Sequence, residues 1–107
     1  MQELIECLSY DELDEFIKSS DYAVIDFWAP WCAPCHVLHR IIETIAPSFP
    51  QINFARINTQ KYPQAAERFE IYGLPTLLLF QKGRPVDRIV GVVSRNYLIS
   101  AFKRLIE

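Results

Sequence analysis

Apolar runs alternate with amphipathic segments along the 107-residue chain. The central runs are apolar at almost every position, which is typical of strands covered on both faces of a sheet. Predicted strands occupy residues 4–8, 23–29, 52–57, 76–80 and 86–90. Lys82–Pro85 is rich in turn-forming residues, so the last two strands are expected to form a hairpin.

Helical spacing of apolar residues predicts four helices between and after these strands. Ser9 and Glu12 have the spacing of a capping box, so the first helix is expected to start there and to end near Ser20. The second helix is expected to follow residue 32 and to end by Pro47. The third covers residues 62–69, and the fourth begins at a cap formed by Ser94. The order β-α-β-α-β-α-β-β-α predicts an α/β fold with a mixed sheet and helices on both faces.

Size and composition favour one domain spanning residues 1–107. Half of the residues are hydrophobic, which is enough for a packed core without disulfide staples. The three cysteines could not form a disulfide framework in any case. Cys7 falls in the first predicted strand and is expected to be a buried, inert residue.

Charge and hydropathy limit the kinds of partner and the cellular locations that fit this chain. The net charge is −2 and the basic residues are scattered, which argues against a nucleic-acid partner. Residues 1–6 lack the pattern of a signal peptide, and no apolar stretch approaches the roughly 18 residues that span a bilayer. We therefore expect no membrane association and a cytoplasmic location.

The segment WCAPCH at residues 31–36 allows three kinds of site: a redox pair, a zinc site or a c-type haem attachment point. Haem is disfavoured because Met1 is the only methionine and His39 lies too close to His36 to provide the opposite axial ligand. Zinc would need Cys32, Cys35 and the two histidines to wrap one ion from a single helix start, whereas structural sites usually draw on two segments. No later residue completes such a site, so no metal is expected.

The redox interpretation explains more of the surroundings. Cys32 lies between a buried strand and an amphipathic helix, where unpaired N–H groups and the helix dipole favour a thiolate. Pro34 falls in the first turn, where its missing N–H costs little. Cys35, one turn later, is expected to be less exposed and to resolve a mixed disulfide.

Asp26 is a carboxylate inside the apolar run 23–29. Burial would raise its pKa, and the group could then exchange a proton with Cys35. The alternative is that Asp26 points to a solvated edge or caps a turn.

With FWAPWCAPC at residues 27–35 and YGLPTLLLF at residues 72–80, the chain resembles the thioredoxin family along nearly its whole length. Gly83 and Gly91 match as well. The resemblance implies the thioredoxin fold: a three-layer α/β/α arrangement with about five strands in a central mixed sheet and four flanking helices. It also implies a monomeric protein-disulfide reductase that needs no cofactor beyond its cysteine pair. Its partners would be protein disulfides and a thioredoxin reductase or an equivalent electron donor.

The resemblance also assigns roles to residues. Cys32 would attack the substrate disulfide and Cys35 would resolve it. Pro75 would be a cis-proline beside the cysteines, allowing Thr76 or neighbouring backbone to pair with a substrate strand. Substrate contacts would come from Trp31, Ala33, Pro34, Gly73, Leu74, Pro75, Thr76, Val90 and Gly91. Trp28 would either pack in the core or shield the disulfide, and Arg56 would lie near the buried carboxylate.

Departures from the family pattern keep other functions open. Ala33 replaces the usual glycine, and Arg56 replaces a lysine that could release its proton, which arginine does not. His36 replaces a lysine; it is either an inert surface residue or, when protonated, a stabiliser of the Cys32 thiolate. His39 is expected to face solvent. A dithiol oxidase or isomerase, or a binding module with secondary redox activity, remain the alternatives.

Overall fold

A computed structural model describes residues 4–107 of the chain. Two predictions rest partly on residues 1–3, which lie outside the described residues: the expected absence of a signal peptide and the start of the domain at residue 1. The strands are β1 (Ile5–Leu8), β2 (Tyr22–Trp28), β3 (Ile52–Asn58), β4 (Thr76–Gln81) and β5 (Arg84–Val90). The helices are α1 (Leu13–Ser19), α2 (Ala33–Ile45), α3 (Pro63–Arg68) and α4 (Arg95–Leu105).

The five strands form one sheet in the order β1-β3-β2-β4-β5. Strands β1, β3 and β2 run parallel, and β4 and β5 are added antiparallel. The predicted mixed sheet is confirmed. Its central strand, β2, has neighbours on both sides and helices on both faces, which explains the nearly continuous apolar run.

Two hydrophobic cores, one on each face of the sheet, give the predicted three layers. The core under α2 and α4 contains Val24, Leu38, Ile42, Phe54, Leu98 and Phe102, among others. The core under α1 and α3 contains Leu13, Phe16, Ile25, Phe27, Ile57 and Ala65, among others. Alternate residues of β2 therefore point to opposite cores, and this alternation decides which helix each side chain meets.

The β4–β5 hairpin is tighter than predicted. Its turn consists of Lys82 and Gly83, both with positive φ (50° and 83°), while Arg84 and Pro85 already belong to β5. A two-residue turn with both φ values positive matches the twist of the paired strands. Pro85 is tolerated because β5 is an edge strand.

The prediction that Cys7 is buried is wrong: its side chain is exposed and its thiol is free. Strand β1 lies at the edge of the sheet and pairs only with β3. Cys7 lines an open pocket there together with Arg56 and Lys61. An edge position, which the short apolar sequence of β1 does not reveal, explains the difference.

The start of the first helix also differs in detail. The Ser9 N–H donates to Glu12 Oε1 at 2.8 Å, as expected for a capping box. Residues 10–12, however, form a 3₁₀ turn, so α1 begins only at Leu13.

Replacing Ser94 with alanine is expected to destabilise the protein by about 1 kcal/mol. Ser94 caps α4 as predicted, since its Oγ accepts a hydrogen bond from the Tyr97 N–H at 3.1 Å. Urea unfolding would measure the loss. Ser100→Ala, an exposed change within the same helix, is the matched control and should cost nothing; equal losses in both variants would contradict the capping role.

Candidate active site

The cysteine pair lies where β2 passes into α2. After Trp28 the chain turns sharply, and the Cys32 N–H donates to the Ala29 carbonyl at 3.1 Å. Cys32 is the N-cap of α2, and its Sγ accepts a hydrogen bond from the Cys35 N–H at 3.3 Å. Cys32 and Cys35 form a disulfide with their Cα atoms 5.3 Å apart. The predicted position of Cys32 at the positive end of a helix is therefore confirmed.

The two sulfur-bearing residues differ in access, as predicted. Cys35 is fully buried, whereas Cys32 keeps 4% of its surface exposed beside Trp31, which is 72% exposed. Ala29 and the two cysteines form a small apolar cluster, against which Trp28 and Leu74 pack. A partner that reaches this cluster meets Cys32 first.

Asp26 is buried beneath α2, the helix that carries Cys35. It lies on the face of β2 that carries Val24 and Trp28; Val24 packs in the core with Leu38 of α2, and Trp28 packs on the cysteine cluster. Only 2% of Asp26 is exposed, and neither carboxylate oxygen has a hydrogen-bond partner among the described residues. Burial raises the pKa of Asp26 to about 7, although the positive charge of Arg56 opposes this. The carboxyl group can therefore gain or lose a proton near neutral pH.

Arg56 connects the carboxylate to the tryptophan. It is the cross-strand partner of Asp26 in the β2–β3 register. Its guanidinium carbon lies 3.8 Å from the centre of the Trp28 ring, a cation–π contact. Two of its nitrogens, Nε and Nη2, are buried without a hydrogen-bond partner among the described residues. Trp28 is half-buried and packs against the cysteine cluster.

The Leu74–Pro75 peptide bond is cis, as the resemblance implied. Thr76, by contrast, is not available to a substrate strand. It is fully buried, pairs with Phe27 on one side and Val90 on the other, and its Oγ1 donates to the Gly73 carbonyl at 2.6 Å. The backbone N–H and C=O of Leu74, the residue before Pro75, make no hydrogen bond to the described residues. Leu74 can therefore pair with the backbone of a substrate strand.

The predicted contact residues differ in their exposure to solvent. Trp31, Ala33, Pro34 and Val90 are exposed, Gly73, Leu74 and Gly91 are half-buried, and Pro75 and Thr76 are buried. Sequence reasoning missed Tyr72, which directly precedes Gly73 and is 90% exposed. An aromatic residue directly before the matched GLPT segment was the signal that would have identified Tyr72.

Only one of the two histidines lies as expected. His36 is exposed, but its Nε2 lies 3.0 Å from the Pro30 carbonyl and its ring meets Trp28 edge-on at 6.0 Å. His39 does not face solvent: only 20% of its side chain is exposed, and its Nε2 lies 3.7 Å from Glu43 Oε1. It follows the buried Cys35 by one turn, which places it at the margin of the helix's inner face. Among residues 4–107, no three His, Cys, Asp or Glu side chains cluster in a way that could hold a metal ion.

Within the described range, no helix has both the length and the apolarity needed to cross a bilayer.

A family model described as Thioredoxin matches residues 4–104. The chain is 33% identical to a thioredoxin of Chlamydia pneumoniae over 94% of this chain and 98% of that protein. It is 37% identical to the chloroplastic thioredoxin M4 of Arabidopsis thaliana over 92% of this chain, which spans 52% of that protein.

Solved structures agree with the sequence comparisons. The oxidised mitochondrial thioredoxin 3 of Saccharomyces cerevisiae superposes with a TM-score of 0.86 at 28% identity, covering 94% of each chain. The predicted fold is thereby confirmed. Because the family match also spans the disulfide at the start of α2, the chain belongs to the thioredoxin family and is a thiol–disulfide oxidoreductase.

Proposed function

We propose that this protein reduces the disulfides of other proteins, with Cys32 as the nucleophile and Cys35 as the resolving thiol. The observation that carries the proposal is the placement of Cys32 at the N-cap of α2, slightly exposed, while Cys35 is fully buried behind it. The helix start favours a thiolate on the sulfur that a substrate can reach.

The exchange takes place in two steps. The Cys32 thiolate attacks one sulfur of the substrate disulfide, a Cys32–substrate disulfide forms, and the other substrate sulfur leaves as a thiolate that takes up a proton. The Cys35 thiol then loses its proton and attacks Cys32 Sγ, which releases the second substrate thiol. Two electrons pass from the dithiol to the substrate, and the Cys32–Cys35 disulfide remains.

Asp26 accepts the proton that Cys35 loses in the second step. Cys35 is fully buried, so bulk water does not reach its thiol directly. The carboxylate lies on the face of β2 that α2 covers, and a pKa of about 7 lets it accept and release protons at neutral pH. Arg56 keeps its charge throughout and acts on Asp26 only electrostatically.

The substrate binds across the cysteine cluster as an extended segment. Leu74 packs against that cluster, and its N–H and C=O make no hydrogen bond within residues 4–107, in the manner of an open strand edge. Trp31, Tyr72 and Val90 supply exposed apolar surface, and Val90 lies against Gly73, the residue before Leu74. This arrangement favours unfolded or exposed loop segments over folded surfaces.

We propose that the protein acts in a reducing compartment, the cytoplasm, as a monomer that needs no cofactor beyond its cysteine pair. A thioredoxin reductase or an equivalent donor returns the electrons. The free thiol of Cys7 supports a reducing environment, since an exposed unpaired cysteine is unusual in oxidising compartments.

The midpoint potential of the Cys32–Cys35 couple decides between this function and its alternatives. We expect a value near about −270 mV, whereas a value above about −180 mV would indicate an oxidase or isomerase. Equilibration in dithiothreitol or glutathione buffers, followed by tryptophan fluorescence, would measure it because Trp28 packs on the disulfide. The absence of any reversible two-electron transition would favour a binding module.

A further inference from the structure

His36 makes a specific contact that the redox chemistry described so far does not use. Its Nε2 lies 3.0 Å from the carbonyl oxygen of Pro30, six residues earlier. Because a carbonyl can only accept, Nε2 must carry the proton, and both the neutral Nε2–H tautomer and the imidazolium can donate this bond. The contact therefore does not depend on the charge of His36.

The bond ties together the two segments that carry the cysteine motif. Pro30 lies in the turn between β2 and α2, which is closed by the Cys32 N–H to the Ala29 carbonyl at 3.1 Å. His36 lies in the first turn of α2, directly after Cys35. The His36–Pro30 bond, called the clamp below, thus fixes the turn that presents Cys32 against the helix that carries Cys35.

The surroundings hold the histidine ring in place. The ring meets Trp28 edge-on, with 6.0 Å between centroids. The indole of Trp28 is itself held by the Arg56 guanidinium, which lies 3.8 Å from its ring centre. Although His36 is exposed, its ring is therefore oriented by Trp28, which is held in turn by Arg56 of β3.

We propose that His36 is a positioning residue that lowers the midpoint potential of the Cys32–Cys35 couple. In the oxidised state the disulfide already fixes the turn, so the clamp forms at little entropic cost. In the reduced state the turn can move, and forming the clamp requires ordering it. The clamp therefore stabilises the disulfide more than the dithiol, and its loss shifts the equilibrium towards the dithiol.

Three substitutions separate the hydrogen bond from the ring and from the charge. His36→Phe keeps an aromatic ring beside Trp28 without a donor, and His36→Asn carries an amide too short to place a donor at the Nε2 position. His36→Gln is uncharged but can place an amide N–H there. Arg40→Ala, an exposed change on the same helix, is the control.

The midpoint potential of each full-length variant is measured against glutathione or dithiothreitol, with circular dichroism as a check on folding. We expect His36→Phe and His36→Asn to weaken disulfide formation by about three- to tenfold, an upward shift of about 15–30 mV. His36→Gln and Arg40→Ala should match the wild type. If the phenylalanine variant folds poorly, the asparagine variant carries the same test.

Other outcomes would overturn the clamp in distinct ways. Unchanged potentials in the phenylalanine and asparagine variants would show that the hydrogen bond contributes nothing. A glutamine variant shifted as far as phenylalanine would point to charge in place of the donor, and a downward shift would reverse the mechanism. The inference rests on the dithiol chemistry proposed above; the wild-type transition alone tests that chemistry, and the differences among variants test the clamp.

Discussion

Replacing Cys35 with serine is expected to stop turnover and to leave the substrate covalently attached to Cys32. The serine hydroxyl cannot attack Cys32 Sγ as a thiolate does, so the mixed disulfide has no internal route to release. Protein-disulfide reduction should fall to background. Mass spectrometry under non-reducing conditions should find one substrate thiol per protein, on Cys32.

Cys7 must be removed first, because its exposed free thiol could form adducts of its own. Cys7→Ser alone should keep full activity, since Cys7 lies at the β1 edge and is not part of the cysteine cluster. In that background, Cys32→Ser should be inactive and should trap nothing. Sustained turnover by the Cys35→Ser protein, or trapping by the Cys32→Ser protein through Cys35, would refute the assigned order of the two thiols.

Replacing Asp26 with asparagine is expected to stabilise the protein by about 4 kcal/mol above pH 8 and to change little at pH 4. In the unfolded chain the carboxyl group has its ordinary pKa of 3.8, whereas in the folded protein burial raises the pKa to about 7. The folded state therefore binds the proton more tightly. The corresponding stability is present in full below about pH 4 and is lost as the pH rises through about 7. Above that pH an ionised carboxylate must stay buried with no hydrogen-bond partner among residues 4–107.

Urea unfolding of the oxidised protein at about pH 4 and at about pH 8.5 would measure this difference. Asp21→Asn, which removes an exposed carboxylate just before β2, is the matched control and should show no such dependence. A stabilisation of equal size at both pH values would mean that Asp26→Asn acts through packing and not through ionisation.

The same variant tests the catalytic role of Asp26. If the carboxylate accepts the Cys35 proton, single-turnover reduction by the wild type should rise through an inflection near pH 7, and the asparagine variant should be slower and lack that inflection. An unchanged pH profile would leave Asp26 as a destabilising buried group without a part in proton transfer.

Much of this site could be predicted from the sequence because its signals are local. The apolar run of β2 indicated a buried strand, and the amphipathic pattern after Pro34 indicated a helix, which together place Cys32 at a strand–helix junction. A single carboxylate inside the apolar run identified Asp26 as buried. The match around Pro75 implied the cis peptide that the structure contains.

Other features could not be predicted, because they depend on which segments become neighbours. Cys7 and Asp26 both lie in apolar segments, yet one is exposed and the other buried, since β1 is an edge strand and β2 is central. From the sequence, Thr76 was expected to be accessible to a substrate strand. In the structure it is paired with β2 on one side and β5 on the other, whereas Leu74 precedes β4 and is not part of either pairing.

By itself, the sequence determined the elements, the cysteine couple and the buried acid, because periodicity and spacing act over a few residues. Only the tertiary structure decided that Arg56 stacks on Trp28 and that His36 donates to Pro30. Strand register and the path of a tight turn set these contacts. Both result from packing the whole sheet against its helices, so no short stretch of sequence specifies them.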